Sequence, residues 1–135
     1  MKGVLVDSCV ILDIFEDDVR WVEWSESMLD KYSYSHDLFI NSIIYSEISI
    51  GFEKIEEVEK AISSCGIKVL QIPKESLFLA GKAFLQYRKR KGSKVLPLPD
   101  FFIGAHAAVE KLDLLTRDVS RFKTYFPTVN LISPD

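Results

Sequence analysis

At 135 residues with a formal net charge of -3, the chain has the size of one domain and a mildly acidic balance. A chain of that size buries about two-thirds of its unfolded surface. The charge excludes a protein that coats nucleic acid with a basic surface, though not an enzyme with a local basic strip beside a metal-filled acidic site. The composition is that of a soluble globular domain. No apolar run approaches the ~20 residues of a membrane span, and no basic region followed by an apolar core marks a secretory signal. Cys9 and Cys65 have no metal-ligand spacing and read as buried thiols in a reducing cytosol.

The chain opens with Gly3-Val-Leu-Val-Asp7, a short apolar run ended by an acid, as a buried strand would be. From Ser8 the period changes, and Val10, Ile11, Ile14 and Phe15 predict a helix. Residues 20 to 32 carry Trp21, Trp24, Met28 and Leu29 on one helical face. Trp21, Trp24 and Met28 read as core, with an interface role for the tryptophans left open. A polar connection over 33 to 37, holding His36, leads to a second strand at Leu38–Asn41. Ser42 is expected to cap a helix running to Phe52, and a charged helix over 53 to 64 ends at Gly66. A third strand spans 67 to 72, and a helix runs from Pro73 or Lys74 to about Arg90. The basic run Arg88 to Lys94 then enters Val95-Leu-Pro-Leu-Pro99, read as an extended loop. A helix from Asp100 to about Lys111, a fourth strand over 112 to 116, a helical turn to Tyr125 and an edge-like strand at 129 to 132 complete the pattern. Strands alternating with helices predict a three-layer α/β/α domain with a mainly parallel sheet of four to five strands.

Within that pattern four acids stand out. Asp7 and Asp118 end strands, and Asp100 opens a helix, so each has helix capping as a sufficient explanation. Glu47 differs, because it falls inside the apolar stripe of its helix with Ile43, Ile44, Ile48 and Phe52. A carboxylate there is costly unless it is neutral, paired or bound to a cation. All four can converge at the carboxyl edge of a parallel sheet, where such folds place their sites. Gathered carboxylates repel one another, and oxygen ligands of this kind suit Mg²⁺ or Mn²⁺. Such ions would activate water for an in-line phosphoryl displacement, which is nuclease chemistry. Arg88, Arg117 and Arg121 are candidate contacts for a nucleic-acid backbone, with a solvated helix end the competing reading of the basic run. His106 reads as a satisfied histidine rather than a base.

The segments Val4-Leu-Val-Asp7-Ser-Cys-Val-Ile-Leu, Ser42-Ile-Ile-Tyr-Ser-Glu47-Ile-Ser-Ile-Gly51, Leu98-Pro-Asp100-Phe-Phe-Ile-Gly-Ala-His-Ala and Leu115-Thr-Arg-Asp118-Val-Ser-Arg-Phe122 together resemble the PIN-domain nucleases. Within that family they resemble the VapC-like toxins of type II toxin–antitoxin modules. The resemblance spans nearly the whole chain and implies one PIN-like nuclease domain over 1–135. It implies a metal site and catalytic set of Asp7, Glu47, Asp100 and Asp118, supported by Ser8 and Thr116. It further implies a Mg²⁺- or Mn²⁺-dependent endoribonuclease that forms a homodimer in the cytoplasm and is covered by a cognate antitoxin. Cys9 stands where many relatives carry asparagine, and His106 where they carry small or hydroxyl residues.

Two other readings compete. One is a non-catalytic RNA- or protein-binding module of the same fold, its acids serving as caps. The other is a phosphatase or phospho-acceptor domain, weakened by Cys9 where a second aspartate is wanted and by Gln71-Ile-Pro-Lys74 after the third strand.

Overall fold

In the computed structural model, residues 2–90 and 98–134 are described. Most of the basic run beyond Arg90, together with residues 95–97 of the expected loop, lies outside them. Five strands form one sheet in the order β3-β2-β1-β4-β5. They are β1 (Lys2–Val6), β2 (His36–Asn41), β3 (Ile67–Leu70), β4 (Asp113–Leu115) and β5 (Leu131–Ile132). Every pairing is parallel, with Val4 opposite Leu38, Leu5 opposite Leu114, Leu38 opposite Ile67 and Leu114 opposite Leu131. A parallel sheet is covered on both faces, so its central strands are apolar throughout rather than alternating. Val4, Leu5, Val6, Leu114 and Leu115 accordingly have no exposed surface.

The flanking helices are α1 (Ser8–Phe15), α2 (Val22–Ser33), α3 (Ser42–Ile48), α4 (Ile55–Ser64), α5 (Lys74–Arg90), α6 (Leu98–Glu110) and the short α7 (Ser120–Lys123). The chain moves outward from β1 through β2 to β3, then crosses back to β4 on the other side of β1. Right-handed crossovers place α1 to α4 on one face and α5 to α7 on the other, giving the three layers expected. The reversal of direction opens a crevice between the carboxyl ends of β1 and β4, the position where doubly wound sheets hold ligands.

Several local expectations need correction. The cap of α3 is Asn41, not Ser42, since the Asn41 side chain accepts from the Ile44 amide at 2.9 Å. Asn41 ends a buried strand, whereas Ser42 faces solvent, so only the asparagine is fixed where the free amide points. The helix expected to reach Phe52 stops at Ile48 and passes into a 3-10 turn over Ser49–Gly51. Leu98 and Pro99, assigned above to an extended loop, form the first turn of α6. A first-turn proline loses no intrahelical hydrogen bond, because the amide it lacks would have had no helical acceptor there. His36 belongs to β2 rather than to the preceding connection. Trp21 is not core. It stands half-buried before α2, under the guanidinium carbons of Arg117 and Arg20 at 5.1 and 5.4 Å. Trp24 and Met28 do pack on the core. Gly66 ends α4 as expected, with φ +68°, a conformation that favours glycine.

α6 lies tightly against the segment after α7. A β-carbon at Gly104 would land within the Phe126 ring. Both partners are buried, so neither can move aside without opening the core. Gly104→Ala is therefore expected to destabilise the fold by about 1–3 kcal/mol, read as a lower urea midpoint at unchanged slope.

Candidate metal centre

Asp7 sits one residue past β1 and is fully buried. Its amide donates to the Leu115 carbonyl at 2.9 Å, so the residue is stitched to the end of β4. One carboxylate oxygen caps α1 by accepting from the Ser8 amide at 2.8 Å. The other accepts from the Thr116 hydroxyl at 2.8 Å and approaches the Cys9 thiol at 3.7 Å. The capping explanation thus holds for half of the carboxylate, and the other half is turned toward the crevice. Burial, with the Asp7 charge adding to it, pushes the Cys9 thiol up to about 11, so it stays protonated beside the acid.

Thr116 connects two of the four acids. Its hydroxyl donates to Asp7 and accepts from the Asp118 amide at 3.2 Å, which sets the turn that carries Asp118. Asp118 is half-buried, and its Oδ1 accepts from the Ser120 hydroxyl at 2.7 Å. The cap of α7 is Val119, so capping does not account for Asp118.

Asp100 lies in the first turn of α6 and is 1% exposed. Among the described residues its carboxylate caps no helix. It is paired with Arg121, whose Nε donates to Oδ2 at 3.0 Å and whose Nη2 donates to Oδ1. The remaining guanidinium nitrogen of Arg121 lies 3.4 Å from Asp7 Oδ2. Arg121, expected to meet an RNA backbone, is instead bound among the acids.

Glu47 projects from the last turn of α3 and is half-buried between the buried Ile44 and Ile48. The nearby Ser8 hydroxyl favours its charged form, yet Oε1 is buried with no hydrogen-bond partner among the described residues. Burial raises the Glu47 carboxyl above its ordinary value. The Ser8 hydroxyl opposes this, Asp7 and Asp100 add to it, and Arg121 opposes it. Burial likewise raises Asp100, with Arg121 opposing and Asp7 and Asp118 adding. For Arg121 burial works against the charge, but the bond to Asp100 and the fields of Asp7 and Asp100 outweigh it, so the guanidinium stays firmly protonated.

All four acids singled out in the sequence therefore act on one another at one end of the sheet, and Thr116 holds one of them. As placed, no group of three His, Cys, Asp or Glu side chains among the described residues is arranged to hold a metal ion. Arg121 fills the space between Asp7 and Asp100 instead.

The other named residues lie apart. Arg117 forms a bidentate pair with Asp13 at 2.8 and 2.9 Å, and the Ser25 hydroxyl donates to the same carboxylate at 2.8 Å. Asp13 is 3% exposed and was missed in the sequence, although its place on the buried face of α1 between Val10 and Ile14 was the available sign. Arg88 is exposed on the last turn of α5. His106 is buried, 3.0 Å from Asn41 Nδ2 through its Nδ1. Because the Asn41 carbonyl oxygen is used by the Ile44 amide, Nδ2 must donate and His106 must accept, which fixes a neutral ring protonated on Nε2. Burial lowers its pKa in keeping with that role.

The family model described as "PIN domain" matches residues 4–125. No curated protein sequence matches significantly. Among solved structures, VapBC2 from Rickettsia felis, crystallised with a DNA fragment from its promoter, superposes with a TM-score of 0.76 at 14% identity over 98% of this chain and 99% of that one. VapBC-1 from nontypeable Haemophilus influenzae gives 0.74 at 16% identity over 97% of each chain. A toxin-antitoxin complex from Klebsiella pneumoniae gives 0.71 at 19% over 98% of each.

Clustered acids and helix caps respond oppositely to neutralisation. Glu47→Gln is expected to raise the melting temperature of the metal-free protein by about 2–5 °C, whereas loss of a cap costs about 1 kcal/mol. Wild-type stability in chelator should fall as pH rises from the ordinary glutamate value of 4.5 toward the raised one. There the folded state holds a proton that the unfolded chain has released. The variant should show a shallower slope, with only the raised Asp100 left to supply it, as urea titrations between pH 4 and 8 will show.

Proposed function

The chain belongs to the PIN-domain family, and on that footing we propose that it is a divalent-metal-dependent endoribonuclease, the toxin of a type II toxin–antitoxin pair. The observation that carries this reading is Glu47 Oε1, a buried oxygen without a partner, in a carboxylate that feels the charges of Asp7 and Asp100. The donor set fits a hard cation. It consists of carboxylate oxygens, with the Thr116 hydroxyl holding Asp7 in place and the Ser8 hydroxyl beside Glu47. Asp7, Asp100 and Asp118 would hold Mg²⁺ or Mn²⁺, with Glu47 completing the site or orienting the attacking water. The bound ion supplies charge neutralisation at the scissile phosphate and acidifies a water. Asp7 and Asp100 are buried and held in place, and the side chain that would have to move to admit an ion is Arg121.

RNA is the substrate in this reading. Exposed Arg88 is the available backbone contact, while Arg117 and Arg121 reach a phosphate only if they leave Asp13 and the Asp7–Asp100 pair. The described residues contain no helix long and apolar enough to cross a membrane, and the proposed setting is the cytoplasm. The exposed Leu77, Phe78 and Leu85 of α5 offer an apolar face for a homodimer or a cognate antitoxin. Complexes with antitoxins among the structural neighbours support the latter partner. A module that binds without cutting remains the alternative, and the same assay separates the two.

The test is cleavage of a mixed RNA substrate. Wild type is expected to cut with Mg²⁺ or Mn²⁺ and to stop in EDTA. Asp100→Asn should abolish cleavage, and Thr116→Val, which releases Asp7, should lower it about 10–100-fold while the fold persists by circular dichroism. Metal-independent cleavage, or full activity in Asp100→Asn, would sink the proposal.

A further inference from the structure

We propose that Arg121 is a built-in counter-cation for the acid cluster, which a divalent ion must displace to enter, so that the chain sets its own metal threshold. This rests on the metal-site reading above and adds to it a residue of this chain that opposes the ion. Three observations carry it. First, the Arg121 guanidinium spends three nitrogens on two of the proposed ligands, bidentate on Asp100 and at 3.4 Å from Asp7. A carboxylate gripped bidentately by arginine has one in-plane lone pair on each oxygen engaged, and a metal approaching from the same side must take those from the guanidinium. Second, Asp7, Glu47, Asp100 and Asp118 act on one another electrostatically, yet no three acids among the described residues are arranged to hold an ion. The site as placed is closed around the arginine rather than open for a ligand. Third, the orphaned oxygen belongs to Glu47, which lacks any bond to Arg121. One monocation satisfies Asp7 and Asp100 and leaves the rest of the cluster short of positive charge.

Four carboxylates against one guanidinium leave the cluster net negative, and a dication placed there gains more than Arg121 does. The arginine has a way out. Its side chain is 22% exposed and comes from α7, a helix of four residues at the surface end of the crevice. Because Arg121 is part of the chain, it competes at every metal concentration. The apparent affinity equals the intrinsic one multiplied by the fraction of molecules in which the guanidinium has swung away. A coupling of ordinary size lowers affinity by about 5–150-fold. The same contact keeps the metal-free fold from bearing the full repulsion of Asp7 and Asp100.

The experiment is Mn²⁺ titration by calorimetry into wild type, Arg121→Ala, Arg121→Gln and Asp100→Asn, with melting curves in EDTA and in Mn²⁺. Arg121→Gln keeps a hydrogen-bond donor beside Asp100 without the charge, and so guards against loss of fold. Both arginine variants are expected to bind Mn²⁺ about tenfold or more tightly than wild type. They should melt lower than wild type in EDTA and regain that loss in Mn²⁺. Adding diamagnetic Mg²⁺ to ¹⁵N-labelled wild type should shift the Arg121 Nε–H resonance and speed its exchange with water, as the bond to Asp100 opens. Equal or weaker Mn²⁺ binding in folded Arg121→Gln, or an Arg121 Nε–H resonance unmoved at saturating Mg²⁺, would overturn the counter-cation role and leave the metal site standing. Absence of Mn²⁺ binding in every form, arginine variants included, would overturn both.

Discussion

Repulsion among carboxylates at one end of a parallel sheet is the constraint around which the chain is arranged. Asp7 and Asp100 have almost no solvent to screen them, and burial makes each charge expensive unless something answers it. Two of the acids are given a specific reply: an amide and a threonine hydroxyl for Asp7, and a bidentate arginine for Asp100. Thr116 and Arg121 come into range only through the reversal of strand order that sets β4 beside β1. The topology creates the crevice, and the hydrogen bond from Thr116 to Asp7 spans it.

The elements were legible in the sequence wherever periodicity or a strong terminator marked them. The apolar run ending in Asp7, the change of period at Ser8 and the glycine after α4 each have one local reading, and the structure keeps it. Glu47 was legible for a different reason, because a carboxylate inside an apolar stripe is a violation that needs a cause. What could not be read depends on pairs distant in the chain. Arg117 meets Asp13 across 104 positions, and Arg121 meets Asp100 across 21. An arginine that neutralises a buried acid looks, in one dimension, the same as one that awaits a phosphate. Asn41 and Ser42 are adjacent and both can cap, so only their burial decides between them. Pro99 was read by its general effect on helices, and its tolerance in a first turn depends on where the helix begins.

Rigidity reaches the acids through aromatic packing. Phe101, next to Asp100, has ring contacts with Phe84 and Tyr87 of α5 and with Tyr125 and Phe126 beyond α7, at centroid separations of 5.3 to 6.2 Å. Phe126 in turn closes over Gly104. The start of α6, which presents Asp100, and the segment that presents Arg121 are thus clamped to one cluster of rings. Tilted and edge-on contacts of this kind add to the burial of the rings themselves. The backbone carrying the ion pair is held, so freedom to open it resides in the long side chain of Arg121.

β3 is an outer strand of the sheet, and its outward edge has backbone groups that β2 does not use. A longer, flatter and more apolar strand in that place would invite another chain to add to the sheet and begin aggregation. Here the strand is four residues long, and a lysine, Lys68, stands exposed at its centre beside the half-exposed Val69. Joining two such edges would bring two lysines into register and bury their charges. At the opposite side the sheet ends in a strand of only two residues, too short to template a neighbour. Both borders of the sheet therefore discourage growth by strand addition, and the surfaces left open to contact are those of the helices.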